Sequence, residues 1–140
     1  MAVRTEKFIL FYLGGEKYAL PALSANQFIE FSDLALVPKA DQDIRGLIYH
    51  NGNIITIIDL KRVLKIVSPK REASHMCLTF EYGGYYYGLL VDQGDETLAV
   101  KNISSDRQRP VFKRYFTTPD KKRIYILDIE EVLSQINIYD

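Results

Sequence analysis

Leu10-Phe-Tyr-Leu-Gly-Gly-Glu-Lys-Tyr-Ala-Leu20 is echoed by Thr79-Phe-Glu-Tyr-Gly-Gly-Tyr-Tyr-Tyr-Gly-Leu89, 69 residues further along the chain. The same shift relates Ile55-Thr-Ile-Ile-Asp-Leu-Lys-Arg-Val-Leu64 to Ile124-Tyr-Ile-Leu-Asp-Ile-Glu-Glu-Val-Leu133. Two matches at one offset identify a duplicated unit, so the chain reads as two copies of one small fold.

Each copy opens with a hairpin. Lys7 to Leu13 is apolar and aromatic, Gly14-Gly15 supplies the positive φ angles of a two-residue turn, and Lys17 to Leu20 returns. In the second copy Met76 to Tyr82 turns at Gly83-Gly84 into Tyr85 to Val91. A third strand is expected at Gln27 to Phe31 and at Glu96 to Val100. A second hairpin follows from Ile44 to Ile58 around Asn51-Gly52, with Arg114 to Thr117 and Arg123 to Leu127 as its counterpart around Pro119-Asp120. Leu60, Val63, Leu64 and Val67 fall on one helical face, as do Ile129, Val132, Leu133 and Ile136. Asp59 and Asp128 stand before those helices at the N-cap.

Five short strands in about 60 residues bury too little as an open sheet, and closure limits exposed edges. The expected fold is therefore all-β with short helices: two tandem SH3-like five-stranded β-barrels packed side by side, with a groove between them. The whole of residues 1–140 makes this pair. The first barrel is expected at about 6–68, and the second, with its C-terminal helix, at about 74–133. Ser68 to Ser74, with Pro69 and three charges, reads as the joint.

Composition narrows the function. The 140 residues are 47% hydrophobic and 26% charged, a globular balance rather than a disordered one. No apolar run approaches the ~18 residues of a membrane span, so no direct membrane insertion is expected. Met1 to Lys7 does not read as a signal peptide, and the lone Cys77 suits a reducing cytoplasm. Eighteen basic residues balance eighteen acidic ones, which disfavours a dedicated nucleic-acid binder.

No residue pattern builds an active site, so no catalytic residue, metal or cofactor is expected. His50 and His75 have no metal ligand at the required spacing, and Cys77 lies in an apolar strand. The Gly-Gly pairs join two strands, whereas a phosphate loop precedes a helix. Asp59 and Asp128 could act as paired acids, but their equivalent positions in the two copies favour capping. Arg107 to Arg123 interleaves seven basic residues with Phe112, Tyr115 and Phe116. That stretch carries the alternative reading, an SH3-like module binding RNA or single-stranded DNA.

Six motifs in order point to a family. Phe11-x-Leu-Gly-Gly-x-x-Tyr-Ala-Leu-Pro21, Val37-Pro38, Ile44-Arg-Gly-Leu-Ile48, Gly52-Asn-Ile-Ile-Thr-Ile-Ile-Asp-Leu-Lys61, Gly88-Leu-Leu-Val-Asp92 and Leu127-Asp-Ile-Glu130 resemble the CheW-like chemotaxis coupling proteins. The resemblance implies two SH3-like barrels and a non-enzymatic, cytoplasmic adaptor held at membrane-associated receptor arrays by its partners. Those partners are a chemotaxis histidine kinase with a CheW-like regulatory domain and the cytoplasmic helical hairpin of a chemoreceptor. By match, Ala25, Gln27, Arg45, Gly46 and Asn51 lie at the kinase contact, and Ala22, Leu23, Leu90, Asp92 and Gln93 lie at the receptor groove. The chain departs from the family's usual residues at Asn51 (usually Arg), Gln27 (commonly Glu), Thr56 (usually Pro) and Lys113-Arg-Tyr-Phe116.

Overall fold

The computed structural model describes residues 5–67, 75–106 and 108–136. The joint at 68–74 and Arg107 lie outside the described residues. In chain order the elements are β1 (Glu6–Leu13), β2 (Glu16–Pro21), β3 (Ala25–Glu30), β4 (Ile44–His50), β5 (Asn53–Ile58) and α1 (Leu60–Val63). The second copy supplies β6 (Met76–Tyr82), β7 (Tyr85–Val91), β8 (Gln93–Val100), β9 (Ser104–Ser105), β10 (Arg114–Thr117), β11 (Arg123–Ile126) and α2 (Ile129–Ser134). Each two-residue turn has two positive φ angles: 62° and 85° at Gly14-Gly15, 60° and 83° at Gly83-Gly84, 50° and 81° at Asn51-Gly52. That combination matches the right-handed twist of the flanking strands, which is why glycine and asparagine occupy these tips.

The strands form a six-stranded sheet, ordered β8-β1-β2-β11-β10-β9, and a five-stranded sheet, ordered β3-β6-β7-β5-β4. Neither order closes on itself, so the expected closed barrels are two open sheets. The assignment of 6–68 to one barrel and 74–133 to the other is also corrected, because each sheet mixes the two copies. The β1–β2 hairpin lies among second-copy strands, and the β6–β7 hairpin lies among first-copy strands. Parallel pairing joins Tyr18 to Tyr125 and Ala19 to Ile126 in one sheet, Thr56 to Tyr87 and Ile57 to Gly88 in the other. Moving each first-copy residue forward by 69, and each partner back by 69, converts one set of pairs into the other. The copies have exchanged their first hairpins reciprocally.

The connections explain the exchange. Only Ala22 to Ser24 separates β2 from β3, and only Asp92 separates β7 from β8. A single residue cannot turn a hairpin, which needs at least two in its loop. The chain therefore crosses to the other sheet at Asp92; it crosses also at Leu23, the repeat equivalent, although three residues there would be enough for a hairpin loop.

The core follows from strands that are buried on both faces. Phe8 and Leu10 of β1 enter one cluster with Ala19, Phe116, Ile124 and Ile126. A register shift between Ile9 and Phe11 marks β1, whose Phe11 and Leu13 join the largest cluster. There they meet Leu78, Phe80, Leu89 and Val91 of the other sheet, with Leu60 and Val132 from the helices. Ile29, Ile48, Ile55, Ile57 and Cys77 fill a third cluster. Fully burying each such side chain is worth about 1.5–3 kcal/mol, so the central cluster binds the two sheets into one unit.

The helices are shorter than their apolar spacing suggests. Lys65 adopts a φ of 57°, Ile66 N–H donates to Lys61 O at 2.8 Å, and Lys65 N–H donates to Arg62 O at 3.2 Å. This is a Schellman closure, which ends α1 and turns Ile66 back against the central cluster. Val67, expected on the buried face, is 93% exposed. Ile136 lies beyond α2 yet is buried as expected.

Candidate functional site: two seams, one latched and one open

Both crossings run between the sheets, and their side chains give the two seams opposite characters. At the first, Asp92 Oδ2 accepts from Gly14 N–H at 2.8 Å, while Asp92 Oδ1 lies 2.7 Å from Lys61 Nζ. Asp92 N–H also donates to Tyr12 O at 2.9 Å. One carboxylate thus ties the β1–β2 hairpin tip to the start of α1. Charge-assisted bonds of this kind are roughly twice as strong as neutral ones.

The equivalent positions at the second seam are Leu23, Gly83 and Glu130. Leu23 has no carboxylate to offer and is 102% exposed. Glu130 faces the Tyr82 phenol and pushes its pKa above the ordinary value. A groove of about 690 Å³ opens here. Pro21, Leu23, Ala25 and Ile129 supply its apolar surface over the buried Phe80 and Ile126, but most of its lining is polar, from Ser24, Asn26, Glu81, Tyr82, Asp128 and Glu130. Its two cations are already engaged: Lys113 lies 3.5 Å from Asp128, and Arg114 donates to both Glu6 carboxylate oxygens at 3.0 and 3.3 Å.

The residues expected at a receptor groove are divided between these seams. Leu23 lines the open groove, with half-buried Ala22 beside it in the chain. Leu90 packs partly buried against the third cluster. Asp92 forms the latch, and Gln93 starts β8 exposed.

The residues expected at a kinase contact lie mainly on the five-stranded sheet. Ala25 lines the open groove. Gln27 is exposed at a register shift in β3, where the buried Thr79 hydroxyl accepts its N–H at 3.2 Å and donates to its carbonyl at 3.1 Å. Arg45 is exposed on β4, 3.8 Å from Asp59. Gly46 is buried, and Asn51 sits at the β4–β5 tip. In hydrogen-bonded order β3 and β4 are opposite edges of the sheet, although an Ala35–Leu47 bridge folds the segment after β3 onto β4.

The open groove also uses Tyr82, Glu81 and Glu130, to which the sequence reading gave no site role. The signal that could have found them was the repeat itself: where one copy has Asp92 and Lys61, the other has Leu23 and Glu130.

Asp59 and Asp128 are caps. Asp59 Oδ1 accepts from Arg62 N–H at 3.3 Å, and Asp128 Oδ1 accepts from Glu131 N–H at 3.1 Å. Among the described residues no three His, Cys, Asp or Glu side chains gather as a metal site. Burial pushes the Cys77 thiol up to about 12, so it stays protonated at neutral pH. The basic-aromatic stretch gives the nucleic-acid alternative no support, because its phenylalanines are buried and guanidiniums cover the half-buried tyrosine rings. Arg123 lies 4.4 Å from the Tyr115 ring centre and Arg109 lies 4.6 Å from that of Tyr125. No helix among the described residues is long and apolar enough to cross a membrane.

Comparison with known proteins agrees with this architecture. The solved structure of the scaffolding protein TtCheW from Thermoanaerobacter tengcongensis superposes with a TM-score of 0.80 at 23% identity, covering 89% of this chain and 90% of that one. Chemotaxis protein CheW of Helicobacter pylori (strain ATCC 700392 / 26695) is 23% identical over 100 residues. That match spans 71% of this chain but only 61% of the Helicobacter protein's length. The CheW-like domain family matches residues 7–137, which is nearly the whole chain. This chain, with its two interleaved sheets, belongs to the CheW-like domain family.

Proposed function

We propose that this chain is a cytoplasmic, non-catalytic adaptor that couples a chemoreceptor's cytoplasmic helical hairpin to a chemotaxis histidine kinase. The observation that carries the reading is the CheW-like match over residues 7–137. The open groove supports it, since one fully exposed apolar side chain, Leu23, set among polar groups suits an amphipathic helix. In this reading the receptor hairpin lies against Leu23. The kinase's CheW-like domain contacts the exposed Gln27, Arg45 and Asn51, with Ala25 at the boundary.

The experiment is reconstitution of receptor fragment, kinase and this chain, with kinase autophosphorylation as the readout. Addition of the chain is expected to couple kinase activity to the receptor. Leu23→Glu should weaken receptor capture about tenfold while leaving kinase affinity within about twofold, because a carboxylate would be buried without a partner. Stoichiometric chain that neither binds the kinase nor changes its activity would remove the reading. The kinase contact has a separate test, a double-mutant cycle on kinase affinity with Gln27→Glu and Asn51→Arg. The arginine alone is expected to weaken binding by roughly 1–3 kcal/mol, with partial recovery when both are present. Two single variants that bind as wild type would place these residues outside the contact.

A further inference from the structure

One surface of the second copy belongs to neither seam. Register places Tyr115 opposite Tyr125, and Tyr125 opposite Tyr18. With Phe112 these rings form a continuous row: Tyr115–Tyr125 and Phe112–Tyr125 are each 5.5 Å between centroids, and Tyr18–Phe112 is 5.3 Å. Phe112 is buried and Tyr115 and Tyr125 are half-buried, so the row runs from the core to the surface.

Two guanidiniums finish it. Arg123 sits over Tyr115 at 4.4 Å, and Arg109 sits over both Tyr125 at 4.6 Å and Phe112 at 5.3 Å. Arg123 Nη1 also donates to Tyr125 Oη at 3.4 Å, and the two arginines hold that phenol below its ordinary pKa. Stacking occupies the flat faces of a guanidinium, and of its five in-plane N–H groups those not spent on the Tyr125 phenol are left to point outward. Arg109 and Arg123 are exposed, as are the neighbouring Lys121 and Lys122. Among the described residues none of the four has a carboxylate within ion-pair distance, whereas Lys113 and Arg114 nearby are paired.

We propose that this face docks an acidic segment of a partner protein, with carboxylates gripped by the outward edges of Arg109 and Arg123. The fork of a guanidinium matches a carboxylate bidentately, and the aromatic row fixes both forks before the ligand arrives. A single-stranded nucleic acid would need bare ring faces for its bases, and the arginines occupy them. The surface shares no residue with the proposed kinase contact or receptor groove, so it stands or falls separately from that reading.

The test uses the whole chain and two fluorescein-labelled probes, a twelve-residue polyglutamate peptide and a dT12 oligonucleotide, followed by anisotropy near physiological salt. Polyglutamate is expected to bind and to move the side-chain Nε–H resonances of Arg109 and Arg123 more than those of other arginines. Arg109→Lys with Arg123→Lys keeps the charge but removes fork and stacking, and should weaken binding about tenfold. Lys121→Ala with Lys122→Ala removes two charges and should weaken it no more than about threefold, since these lysines act only at a distance. Three results would each overturn the proposal. One is lysine variants at 109 and 123 that bind as wild type. Another is dT12 outcompeting the peptide. The third, which needs no variant, is arginine Nε–H resonances that polyglutamate at saturating concentration leaves unmoved.

Discussion

Gly46 shows how a motif residue is decided by backbone space. Its φ is 151°, and an added Cβ would stand 2.5 Å from Ala35 O and 2.9 Å from Leu34 Cγ. Gly46→Ala should therefore cost about 1–3 kcal/mol in urea unfolding, and an unchanged midpoint would show that the segment around Ala35 can give way. The two cap aspartates act through one backbone bond each. Asp59→Ala or Asp128→Ala should cost about 0.5–2 kcal/mol, while the asparagine variants keep most of the stability. Cys77 adds a pH signature. Its thiol titrates from a reference of 9.0 to about 12 in the fold, so above pH 9 the unfolded chain loses a proton that the folded one keeps. Stability present below pH 9 is then lost as pH rises towards 12, at up to about 1.4 kcal/mol per pH unit from this group. Cys77→Ala should flatten that part of the unfolding profile relative to wild type; parallel profiles would show that burial does not shift the thiol. These roles were only partly legible: the cap spacing is local, whereas the crowding at Gly46 comes from Ala35, brought there by a bridge to Leu47.

At the scale of elements, the turns and the latch behave differently. The three two-residue turns were readable from Gly-Gly and Asn-Gly alone, because positive φ at both positions is a property of the dipeptide. The length of α1 was not, since Lys65 enters the left-handed region where no glycine advertises it. The latch at Asp92 joins a hairpin tip to a helix start across the sheets, so no local pattern announces it. Asp92→Ala should cost about 1–2 kcal/mol by urea unfolding, from one charge-assisted hydrogen bond and one partly exposed ion pair. Raising salt to ~1 M should shrink the difference without removing it, because screening weakens the Lys61 pair more than the Gly14 hydrogen bond. A wild-type midpoint for Asp92→Ala would mean the first seam is held by apolar packing alone.

At the scale of the whole molecule, the reciprocal exchange makes each half depend on the other. Fragments 1–70 and 71–140 should each be unfolded alone, because β1–β2 lacks β8 and β11, and β6–β7 lacks β3 and β5. Mixed in equal amounts they should assemble one to one and recover the circular dichroism of the intact chain. A cooperative thermal transition in either isolated fragment would contradict this dependence. The sequence by itself determined the duplication, ten of the eleven strands (all but the two-residue β9), their turns, the caps and the family, because periodicity, dipeptide geometry and motif order are carried within a few neighbouring residues. Only the tertiary structure decided which hairpin pairs with which copy. Strands of both copies present similar apolar faces, so local chemistry fits either partner equally well. The one-residue connection at Asp92 cannot turn a hairpin and so carries β8 into the other sheet, and the chain takes the equivalent path at Leu23. The same two residues, apolar in one copy and acidic in the other, leave one seam open and latch its twin.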